Sequence, residues 1–470
     1  MSLGAMLRQI DKVMGTTHTT ALLKVPCAKP KLSIRQIAAL LRNPLETLQD
    51  LARQSDGIVA LRVLHKKFII VDNADYFKTI LQEQYKHFYK YDLSGLLTKF
   101  LGEGLITSNG QFWLQQRRAI QPAFHKQQVE NMVGVIHLEV DKLVNSLRRE
   151  DNSKPIPIGN LFMALNLAIL TRMFFGETAD REMKMISEIM NDMTIEADNQ
   201  MNQIFKLPLT FPSPANLRFK KVIKKFDAIL YSTIEQRKKL MAAKAPAQQD
   251  VLQMLLDYRS DNLEGLMSAK QIRDELATLF LAGYETTSQT LSWLFYQVAK
   301  QTEIATAIRQ EVSNCCSAQL TLHDLAKLTY TTAVIKETMR MYPAVWLMVR
   351  QNISNTFLGN YFLPKKSVIL LNVYGIHHNE NYWDKPEEFR PDRFNEAKMN
   401  LRHPFSYLPF GIGPRVCIGQ PLAMMLMQIV VSRLIASFKC TLADDYETSL
   451  DPHITLRPKP AIHMVLTPIP

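Results

Sequence analysis

The ten residues from Phe410 to Gly419 limit what this chain can fold into more than any other stretch of its sequence. They form a glycine-rich loop that carries one thiol, Cys417, with an arginine two positions before it and an aromatic residue at its start. Glycines let a backbone approach a flat ligand closely, because they have no side chain to collide with it. The apolar stretch from Leu422 to Phe438 then predicts a helix whose N-terminus stabilises the thiolate form of Cys417.

These features fit a cysteine thiolate that binds haem iron. The loop can lie against the flat macrocycle, the thiolate can ligate the iron, and Arg415 can neutralise a haem propionate. For any single cysteine, the alternative is a buried structural residue in a tight loop. The predicted cofactor contacts in this segment are Phe410, Gly411, Arg415, Gly419 and the axial iron ligand Cys417.

The same segment fits the pattern Phe-Gly-x-Gly-x-Arg-x-Cys-x-Gly at every defined position, and in this it resembles the cytochrome P-450 family. The resemblance implies haem b with a thiolate ligand, which pushes electron density onto the iron and favours O–O cleavage. It runs from about Val59 to the C-terminus and implies one haem-binding catalytic domain over residues 1–470. The expected class is mainly α with small β-sheets, with the haem between a long central helix and the cysteine loop. The helical segment 1–58 is the part of this domain that the resemblance supports least.

The composition is that of a soluble globular protein. The 470 residues are 47% hydrophobic and 21% charged, and no run of eighteen apolar residues occurs. The first 24 residues lack the apolar core of a signal peptide. Five cysteines, an odd number without metal-site spacing, fit a reducing compartment. We therefore expect a cytoplasmic, monomeric protein without a transmembrane anchor.

The net charge of +12 at pH 7 suggests a negatively charged partner. Nucleic acid is not favoured, because the sequence has no basic patch with interleaved aromatic residues and no zinc or helix-turn-helix motif. An acidic electron-donor protein explains the charge more directly, since opposite charges steer two proteins together. A generally basic proteome is the alternative that stays open.

Helical periodicity dominates from Phe77 onward, and strands are few. Ser268 and Gln271 form a capping box that predicts the start of a long helix ending at Lys300. Alternating apolar residues between Val59 and Val71 predict a hairpin, and a further strand is expected at Ser367–Val373.

The segment Ala282–Thr287 lies in the middle of the predicted long helix. Gly283 weakens the helix there, and the threonine hydroxyls can bond backbone carbonyl groups, so the helix can open into a groove or a π-type bulge. The resemblance implies that this segment covers the distal face of the haem, with Ala282 among the cofactor contacts. Thr286 would then hydrogen-bond iron-bound dioxygen, and Glu285 would help to relay protons to it. A glycine packed against a neighbour beside two ordinary threonines is the alternative.

A second motif, Trp113-x-x-x-Arg117, also matches the family. Its spacing puts the indole N–H and the guanidinium on one helix face, and both are donors suited to a carboxylate. The resemblance implies haem propionates as the acceptors, with Arg350 also in reach of one. The predicted propionate set is Trp113, Arg117, Arg350 and Arg415.

A third motif pairs Glu337 with Arg340, three residues apart and hence on one helix face. Arg393 follows later, in a segment that matches the Phe-x-Pro-x-Arg-Phe element of the family. The resemblance implies a buried network of these three residues that holds the cysteine loop in place and has a structural role. His377 and His378 are expected to be structural too, because Cys417 already provides an iron ligand.

A hydrophobic substrate pocket is expected next to the Ala282–Thr287 segment. Thr278 shares a helix face with Ala282, and the loop Asp92–Leu105 would close over the top. Apolar residues in these places favour a hydrophobic substrate, although the core of any helical protein contains similar residues. The predicted pocket residues are Thr278, Leu281, Ala282, Val345 and Trp346.

A basic amphipathic stretch runs from Arg218 to Lys244. Such a stretch can contact a membrane surface in which apolar substrates dissolve. An ordinary solvated helix face is the alternative.

The sequence therefore predicts a soluble haem-thiolate monooxygenase of the bacterial type, without a fused reductase. It would insert one atom of O2 into a hydrophobic organic substrate and reduce the other to water, with electrons that come from NAD(P)H through a ferredoxin or flavodoxin. A peroxide-driven or isomerising haem-thiolate enzyme is the second hypothesis, and the Glu285–Thr286 pair argues against it. A non-catalytic haem sensor or electron carrier is the third.

Overall fold

Helices make up most of the described chain, and short strands form small sheets. The computed structural model describes residues 23–26, 40, 42–53, 55–63, 66–150, 154–176, 180–201, 211–246, 250–260, 265–315, 319–443 and 447–469. The predicted class, mainly α with small β-sheets, is confirmed. Much of the predicted N-terminal segment 1–58 lies outside the described residues.

The helices supply most of the buried core. In chain order they are α1 (Pro44–Arg53), α2 (Ala74–Lys78), α3 (Leu96–Leu101), α4 (Gly110–Ile120), α5 (Lys126–Arg149), α6 (Ile158–Phe175), α7 (Asp180–Met201), α8 (Pro214–Ala242), α9 (Val251–Asp257), α10 (Ala269–Lys300), α11 (Thr302–Ser313), α12 (Leu322–Lys327), α13 (Thr329–Met341), α14 (Val373–His377), α15 (Glu396–Asn400) and α16 (Gln420–Ser437). Most side chains of α6, α10 and α16 are buried, so these three form the centre of the molecule.

The strands lie at the side of this helical core. They are β1 (Leu23–Lys24), β2 (Ile58–Val63), β3 (Lys66–Val71), β4 (Phe88–Lys90), β5 (Ile156–Pro157), β6 (Arg259–Ser260), β7 (Gly265–Leu266), β8 (Leu347–Asn352), β9 (Thr356–Leu358), β10 (Tyr361–Leu363), β11 (Val368–Asn372), β12 (Phe438–Leu442), β13 (Ser449–Pro452), β14 (Leu456–Lys459) and β15 (His463–Pro468). The largest sheet has the order β2-β3-β11-β8-β4. Its β2–β3 pair is the predicted hairpin, and its β11 is the strand expected at 367–373.

Local sequence signals determine where the long helix α10 begins. The Gln271 N–H donates to Ser268 Oγ and the Ser268 N–H donates to Gln271 Oε1, which completes the predicted capping box. The helix then remains α-helical through Gly283, so the expected groove or π-type bulge does not form. Thr286 Oγ1 donates a further bond to the Ala282 carbonyl at 2.6 Å.

Gly283 serves the packing of α10 against α6. A Cβ atom at this position would lie 3.0 Å from Leu170 Cδ1, so the absence of a side chain lets the two helices approach closely. The Phe174 and Phe280 rings meet edge to face across the same interface, with centroids 4.7 Å apart. Close packing therefore explains the glycine, which is the alternative that the sequence left open.

Two described helices, α6 and α16, are long and apolar enough to cross a membrane by length and composition. The protein itself buries 72% of the apolar window of α6 and 61% of that of α16. A buried helix in the core of a folded domain can have the same length and apolar composition. Because α6 and α16 lie in the core, packing inside the protein explains their apolar character.

Candidate active site

The cysteine loop is built by close backbone approaches. Gly413 has a φ of +73°, and a Cβ there would lie 2.3 Å from the Leu81 carbonyl oxygen, so only glycine fits. The Cys417 N–H donates to the Phe410 carbonyl at 2.9 Å and closes the loop. Helix α16 begins three residues later at Gln420, as the sequence predicts.

Cys417 lies in a recess of this loop. More than a third of its surface is exposed, yet protein atoms surround the thiol closely enough that burial raises its pKa. The backbone N–H groups of Gly419 and Gln420 and the charges of Lys90 and Arg117 act in the opposite direction and lower that pKa. The exposed thiol is thus open to a ligand on one side and surrounded by groups that favour the thiolate.

Four cations gather beside this loop without an acidic partner. Lys90 on β4 lies directly opposite Arg350 on β8, and Arg117 and Arg415 complete the group. Among the described residues, no carboxylate forms an ion pair with any of the four. Like charges that face each other across a strand pair destabilise the pair, so a bound anion would stabilise this arrangement.

The pKa values of these cations are lowered, which also indicates an unfavourable environment for positive charge. Burial lowers the pKa of Arg350 to about 10 and that of Arg415 to about 9. It lowers the pKa of Lys90 well below its ordinary value, and the charges of Arg350 and Arg415 lower it further. A ligand with two carboxylates would relieve this repulsion, and the two propionates of haem are such groups. The chemistry of the donor set therefore fits haem at this place.

The predicted propionate residues are held by specific contacts. Arg415 donates to the Ser108 carbonyl at 2.9 Å and to Asn109 Oδ1 at 3.0 Å, and its guanidinium lies 4.1 Å from the Trp113 ring centroid. Trp113 thus supports Arg415 through a cation–π contact. Arg117 lies on the same helix and donates to the Val416 carbonyl at 2.8 Å, which ties α4 to the cysteine loop.

Lys90 was not predicted as a site residue from the sequence. No motif surrounds this lysine, and only the pairing of β4 with β8 brings it next to Arg350. A lysine in a short strand has no local signal of such a role. To find Lys90 from the sequence, one would have to know that β4 pairs with β8, a strand far away in the chain.

One face of α10 opens in the middle of an otherwise buried helix. Leu281, Ala282 and Thr286 are half-buried, whereas the neighbouring side chains on the other faces are buried. Ala282 and Thr286 are one turn apart, so they share this open face. The face therefore presents an apolar surface with one hydroxyl.

Glu285 has a different environment from Thr286. Its carboxylate is buried and accepts hydrogen bonds from Thr455 Oγ1 at 2.6 Å and from Arg457 Nε at 2.7 Å. Both partners belong to the C-terminal segment around β14. The acid of the predicted pair is thus held in an ion pair with Arg457, a partner that no motif in the sequence indicates.

The three residues Glu337, Arg340 and Arg393 form a buried network. Arg340 Nε and Nη2 each lie 2.8 Å from a Glu337 oxygen, and Arg393 Nε donates to Glu337 Oε1 at 3.2 Å. Glu337 and Arg340 have no exposed surface. The structure thus brings the three residues of the third motif together.

His377 connects this network to the cysteine loop. Its Nε2 accepts the Leu408 N–H at 2.9 Å, and its Nδ1 lies 3.2 Å from the Arg340 carbonyl oxygen. Nδ1 therefore carries the proton and donates it to that carbonyl. Burial and the neighbouring charges of His378 and Arg340 lower the pKa of His377 well below its ordinary value, which keeps the ring neutral. Leu408 begins the approach to Phe410, so the histidine has the structural role that the sequence predicts.

The predicted pocket residues divide into two groups. Thr278 and Leu281 lie on α10, close to Ala282. Val345 is 42% exposed, and Trp346 donates its indole N–H to the His453 carbonyl at 2.9 Å. The Trp346 ring packs against the apolar clusters beside α1 and the largest sheet, and not against α10. Trp346 lies just before strand β8 and packs elsewhere, so the structure does not join it to Thr278 and Leu281.

The stretch Asp92–Leu105 also differs from the expected loop. It contains helix α3, which begins after Gly95 and ends before Gly102. Both glycines have positive φ angles, which other residues rarely adopt. The remaining residues Gly102–Leu105 lie against α10.

Comparison with known proteins agrees with this geometry. The family model described as Cytochrome P450 matches residues 28–465. This chain belongs to the cytochrome P450 family. It is therefore a cytochrome P450 monooxygenase, and membership implies a haem with a thiolate ligand and the use of O2.

Curated relatives of this P450 come from several kingdoms. It is 32% identical over 423 residues to Cytochrome P450 4A10 of Rattus norvegicus, with 85% of this chain and 81% of the relative covered. It is 28% identical over 443 residues to the protein LUTEIN DEFICIENT 5, chloroplastic, of Arabidopsis thaliana, with 89% and 72% covered. It is 30% identical over 385 residues to a cytokinin hydroxylase of Arabidopsis thaliana, with 79% and 73% covered. These relatives give no support to the expectation of a bacterial-type, cytoplasmic protein.

Solved structures confirm the fold of this P450. The haem domain of cytochrome P450DA superposes with a TM-score of 0.84 and covers 95% of this chain and 98% of its own. The sequences are 19% identical, so this likeness concerns the fold.

Proposed function

We propose that this P450 oxidises a hydrophobic organic substrate with O2 and two electrons from a separate redox protein. The open face of α10 carries the proposal: Leu281 and Ala282 offer an apolar surface next to the hydroxyl of Thr286. Leu281 would contact the substrate, and a medium-to-large apolar molecule suits such a surface. Thr278 is 2% exposed and lies beneath Gly104, so it would support the site from below the Gly102–Leu105 segment.

The haem, when bound with its thiolate ligand, supplies the activation of O2. Cys417 would hold the iron, and Lys90, Arg117, Arg350 and Arg415 would hold the propionates. Trp113 would keep Arg415 in place through its ring.

Two side chains of α10, Thr286 and Glu285, would take part in proton transfer to the site. Thr286 Oγ1 now donates to the Ala282 carbonyl, and this hydroxyl can turn to donate into the site. Glu285 would keep a negative charge near the site, where Arg457 and Thr455 hold its carboxylate. To relay a proton, this carboxylate would first take one up from solvent, with partial release of the Arg457 contact, and would then pass it into the site.

The electrons would enter at the surface beside Cys417. A recess there is lined by Arg117, Gln121, Phe124, Cys417 and Gln420. Arg118 is exposed next to it, and the whole chain carries a net charge of +12. An acidic ferredoxin or flavodoxin with its reductase, supplied by NAD(P)H, would be attracted to such a surface.

The basic stretch on α8 favours the solvated-face alternative over insertion of the helix into a membrane. Phe219, Phe226 and Leu230 are buried in the protein core, whereas Lys220 and Lys224 are exposed. An interfacial helix needs an apolar face that is free to enter the lipid, and this helix uses its apolar face for packing. Leu217 and Leu240 of α8 are exposed at 53% and 48%, so membrane contact of this helix would combine a few apolar side chains with its charge.

Oxygen incorporation tests the proposal directly. The haem-loaded protein is supplied with ¹⁸O2, NADPH, a surrogate ferredoxin and its reductase, and a panel of apolar compounds chosen by their shift of the ferric spin state. We expect one ¹⁸O atom in the product, and Thr286→Ala should lower product formation roughly 10²-fold while NADPH consumption continues. Thr290→Ala is the matched control, because Thr290 bonds a helix carbonyl in the same way one turn later. Product that forms only with peroxide, in both variants alike, would favour the peroxide-driven alternative.

A further inference from the structure

The segment Gly102–Leu105 docks on the first half of α10 through its backbone amides. The Glu103 N–H donates to Asp274 Oδ2 at 3.0 Å, and the Leu105 N–H donates to Glu275 Oε2, also at 3.0 Å. Two consecutive carboxyl groups of the helix therefore hold two amides of this segment. The contacts join parts of the chain that are far apart in sequence.

Glycines bring this segment unusually close to the helix. A Cβ at Gly102 would lie 2.3 Å from the Asp274 carboxyl group, and a Cβ at Gly104 would lie 2.1 Å from Thr278 Oγ1. Neither position can accept a side chain without a shift of the segment away from α10. The segment is thus seated in direct contact with Thr278, one turn before Ala282.

Two buried polar atoms at this junction have no hydrogen-bond partner among the described residues. They are Glu275 Oε1 and Thr278 Oγ1, on side chains that are 0% and 2% exposed. The two residues lie three positions apart and share a helix face. A buried carboxylate with only one hydrogen bond is costly, whereas a neutral carboxylic acid is much less so.

The nearby cations are paired with other acids. Lys270 contacts Asp274 at 2.9 Å and Glu103 at 3.4 Å, and Arg273 contacts Asp274 at 3.0 Å. Arg273 also reaches Asp227 on α8 at 2.7 Å. Glu275 forms no ion pair among the described residues and has the negatively charged Asp274 beside it.

The balance of these effects favours the protonated form of Glu275. Burial, and to a smaller extent the charge of Asp274, raises the pKa of Glu275 to about 8, although the Leu105 N–H acts in the opposite direction. Because Oε2 accepts the Leu105 N–H, the proton belongs on Oε1, which is the atom without a partner.

We propose that Glu275 is a positioning residue that fastens the Gly102–Leu105 segment to α10 as a neutral carboxylic acid. Loss of its proton would place a negative charge beside Asp274 in the protein interior and would loosen the segment. The consequence for substrate binding at Ala282 rests on the proposed function. The attachment of the Gly102–Leu105 segment to α10 does not rest on that function.

The proposal fixes the direction of a pH dependence. When the segment opens, water reaches Glu275 and its pKa returns toward the ordinary value of 4.5. Between about 4.5 and about 8 the closed form then holds a proton that the open form has lost, so rising pH favours opening. The opening equilibrium constant should increase by up to about tenfold per pH unit in this window and stay constant above it.

Amide hydrogen exchange of Leu105 in the haem-loaded protein tests this. Protection factors between pH 5 and pH 9, resolved by fragmentation mass spectrometry, should fall across that window in the wild type. Glu275→Gln should give protection that is independent of pH, because its carbonyl still accepts the Leu105 N–H and no proton is needed. Glu311→Gln is the matched control: Glu311 also accepts backbone N–H groups, from Tyr330 and Thr331, and this change should leave the Leu105 profile as in the wild type.

Two results would overturn the proposal. One is a flat profile in the wild type, and the other is a wild-type slope in Glu275→Gln. Asp274→Asn provides a second variant if Glu275→Gln fails to fold, since loss of the neighbouring charge should move the upper end of the window to lower pH. Exchange needs neither substrate nor electron donor, so failure here leaves the proposed oxidation untouched, and failure of the oxidation leaves this result standing.

Discussion

Lys90 shows how much of this site depends on single charged residues. It shares a strand pairing with Arg350 and lies among four cations that no described carboxylate neutralises. If the propionates of haem are the missing anions, Lys90 destabilises the haem-free protein and stabilises the loaded one. These opposite effects can be separated by experiment.

Lys90→Met should therefore change the two forms in opposite directions. We expect haem transfer to apomyoglobin to become roughly 10- to 100-fold faster, the equivalent of a charged hydrogen bond worth about 1.5–3 kcal/mol. The free energy of unfolding of the haem-free protein should not fall, because a repelled and partly buried cation has been removed. Lys86→Met is the matched control on an exposed lysine of the same region. Unchanged haem retention in Lys90→Met would remove this residue from the cofactor site.

Single residues were predictable from the sequence where a motif surrounds them. The loop around Cys417 and the pair Trp113 and Arg117 could be found in this way, because their spacing is local. Lys90 could not, since its neighbours come from tertiary pairing. The same holds for Arg457, whose contact with Glu285 joins β14 to the middle of α10.

At the scale of secondary-structure elements, the Glu337–Arg340–Arg393 network links helix α13 to the cysteine loop. The bidentate contact of Glu337 with Arg340 is fully buried, and His377 connects it to the backbone at Leu408. The loop thus depends on an ion pair that lies outside it. The shared helix face of Glu337 and Arg340 and the motif that contains Arg393 were both predictable from the sequence. The contact between His377 and the backbone at Leu408 could be seen only in the structure.

Glu337→Ala should lose the cysteine loop along with the network. The change leaves Arg340 buried without a counter-charge, which costs roughly 3–5 kcal/mol of the free energy of unfolding. We expect purified protein with little or no haem, measured by the ratio of Soret to protein absorbance. Glu388→Ala is the control, because the Glu388 side chain forms surface ion pairs with Lys385 and Arg390, and exposed pairs contribute about 0–1 kcal/mol. Full haem content in Glu337→Ala would contradict this role.

Element boundaries followed the local signals closely where those signals were strong. The capping box placed the start of α10, and the apolar run placed α16. The stretch Asp92–Leu105 was expected to be a loop, yet it includes α3, whose ends are set by two glycines. The groove expected at Gly283 did not form, because the glycine serves the packing of α6. Short strands such as β4 carry too few residues for a periodic pattern.

At the scale of the whole molecule, the net charge of +12 has a consequence for electron transfer. Attraction between this chain and an acidic donor should weaken as salt screens it. Raising the ionic strength from about 50 mM to about 500 mM should slow reduction by an acidic ferredoxin at least tenfold, measured by stopped-flow absorbance. Reduction by dithionite should change much less.

The same experiment can locate the surface that binds the donor. Arg118→Glu, beside the recess at Cys417, should slow reduction by the ferredoxin, whereas Lys224→Glu on the distant basic face of α8 should not. Equal slowing by the two changes would show that the net charge of the protein controls reduction and that the donor does not prefer the surface beside Cys417.

The family and the fold class were both predictable because one motif of ten residues constrains them together, and the same motif carries the proposed iron ligand. The substrate was not predictable to the same extent, because the residues that would contact it are ordinary apolar side chains. Trp346 illustrates this: its place after α13 suggested the pocket, while its packing puts it beside α1 and the largest sheet.

The central claim is that the Cys417 thiolate binds haem iron. The absorption spectrum of the reduced protein with carbon monoxide tests it most directly, with Cys417→Ser compared against Cys440→Ser, a buried cysteine outside the site. We predict a strongly red-shifted Soret band in the wild type and in Cys440→Ser, and its loss in Cys417→Ser. An unshifted band in the wild type, or a shifted band that survives Cys417→Ser, would contradict the account.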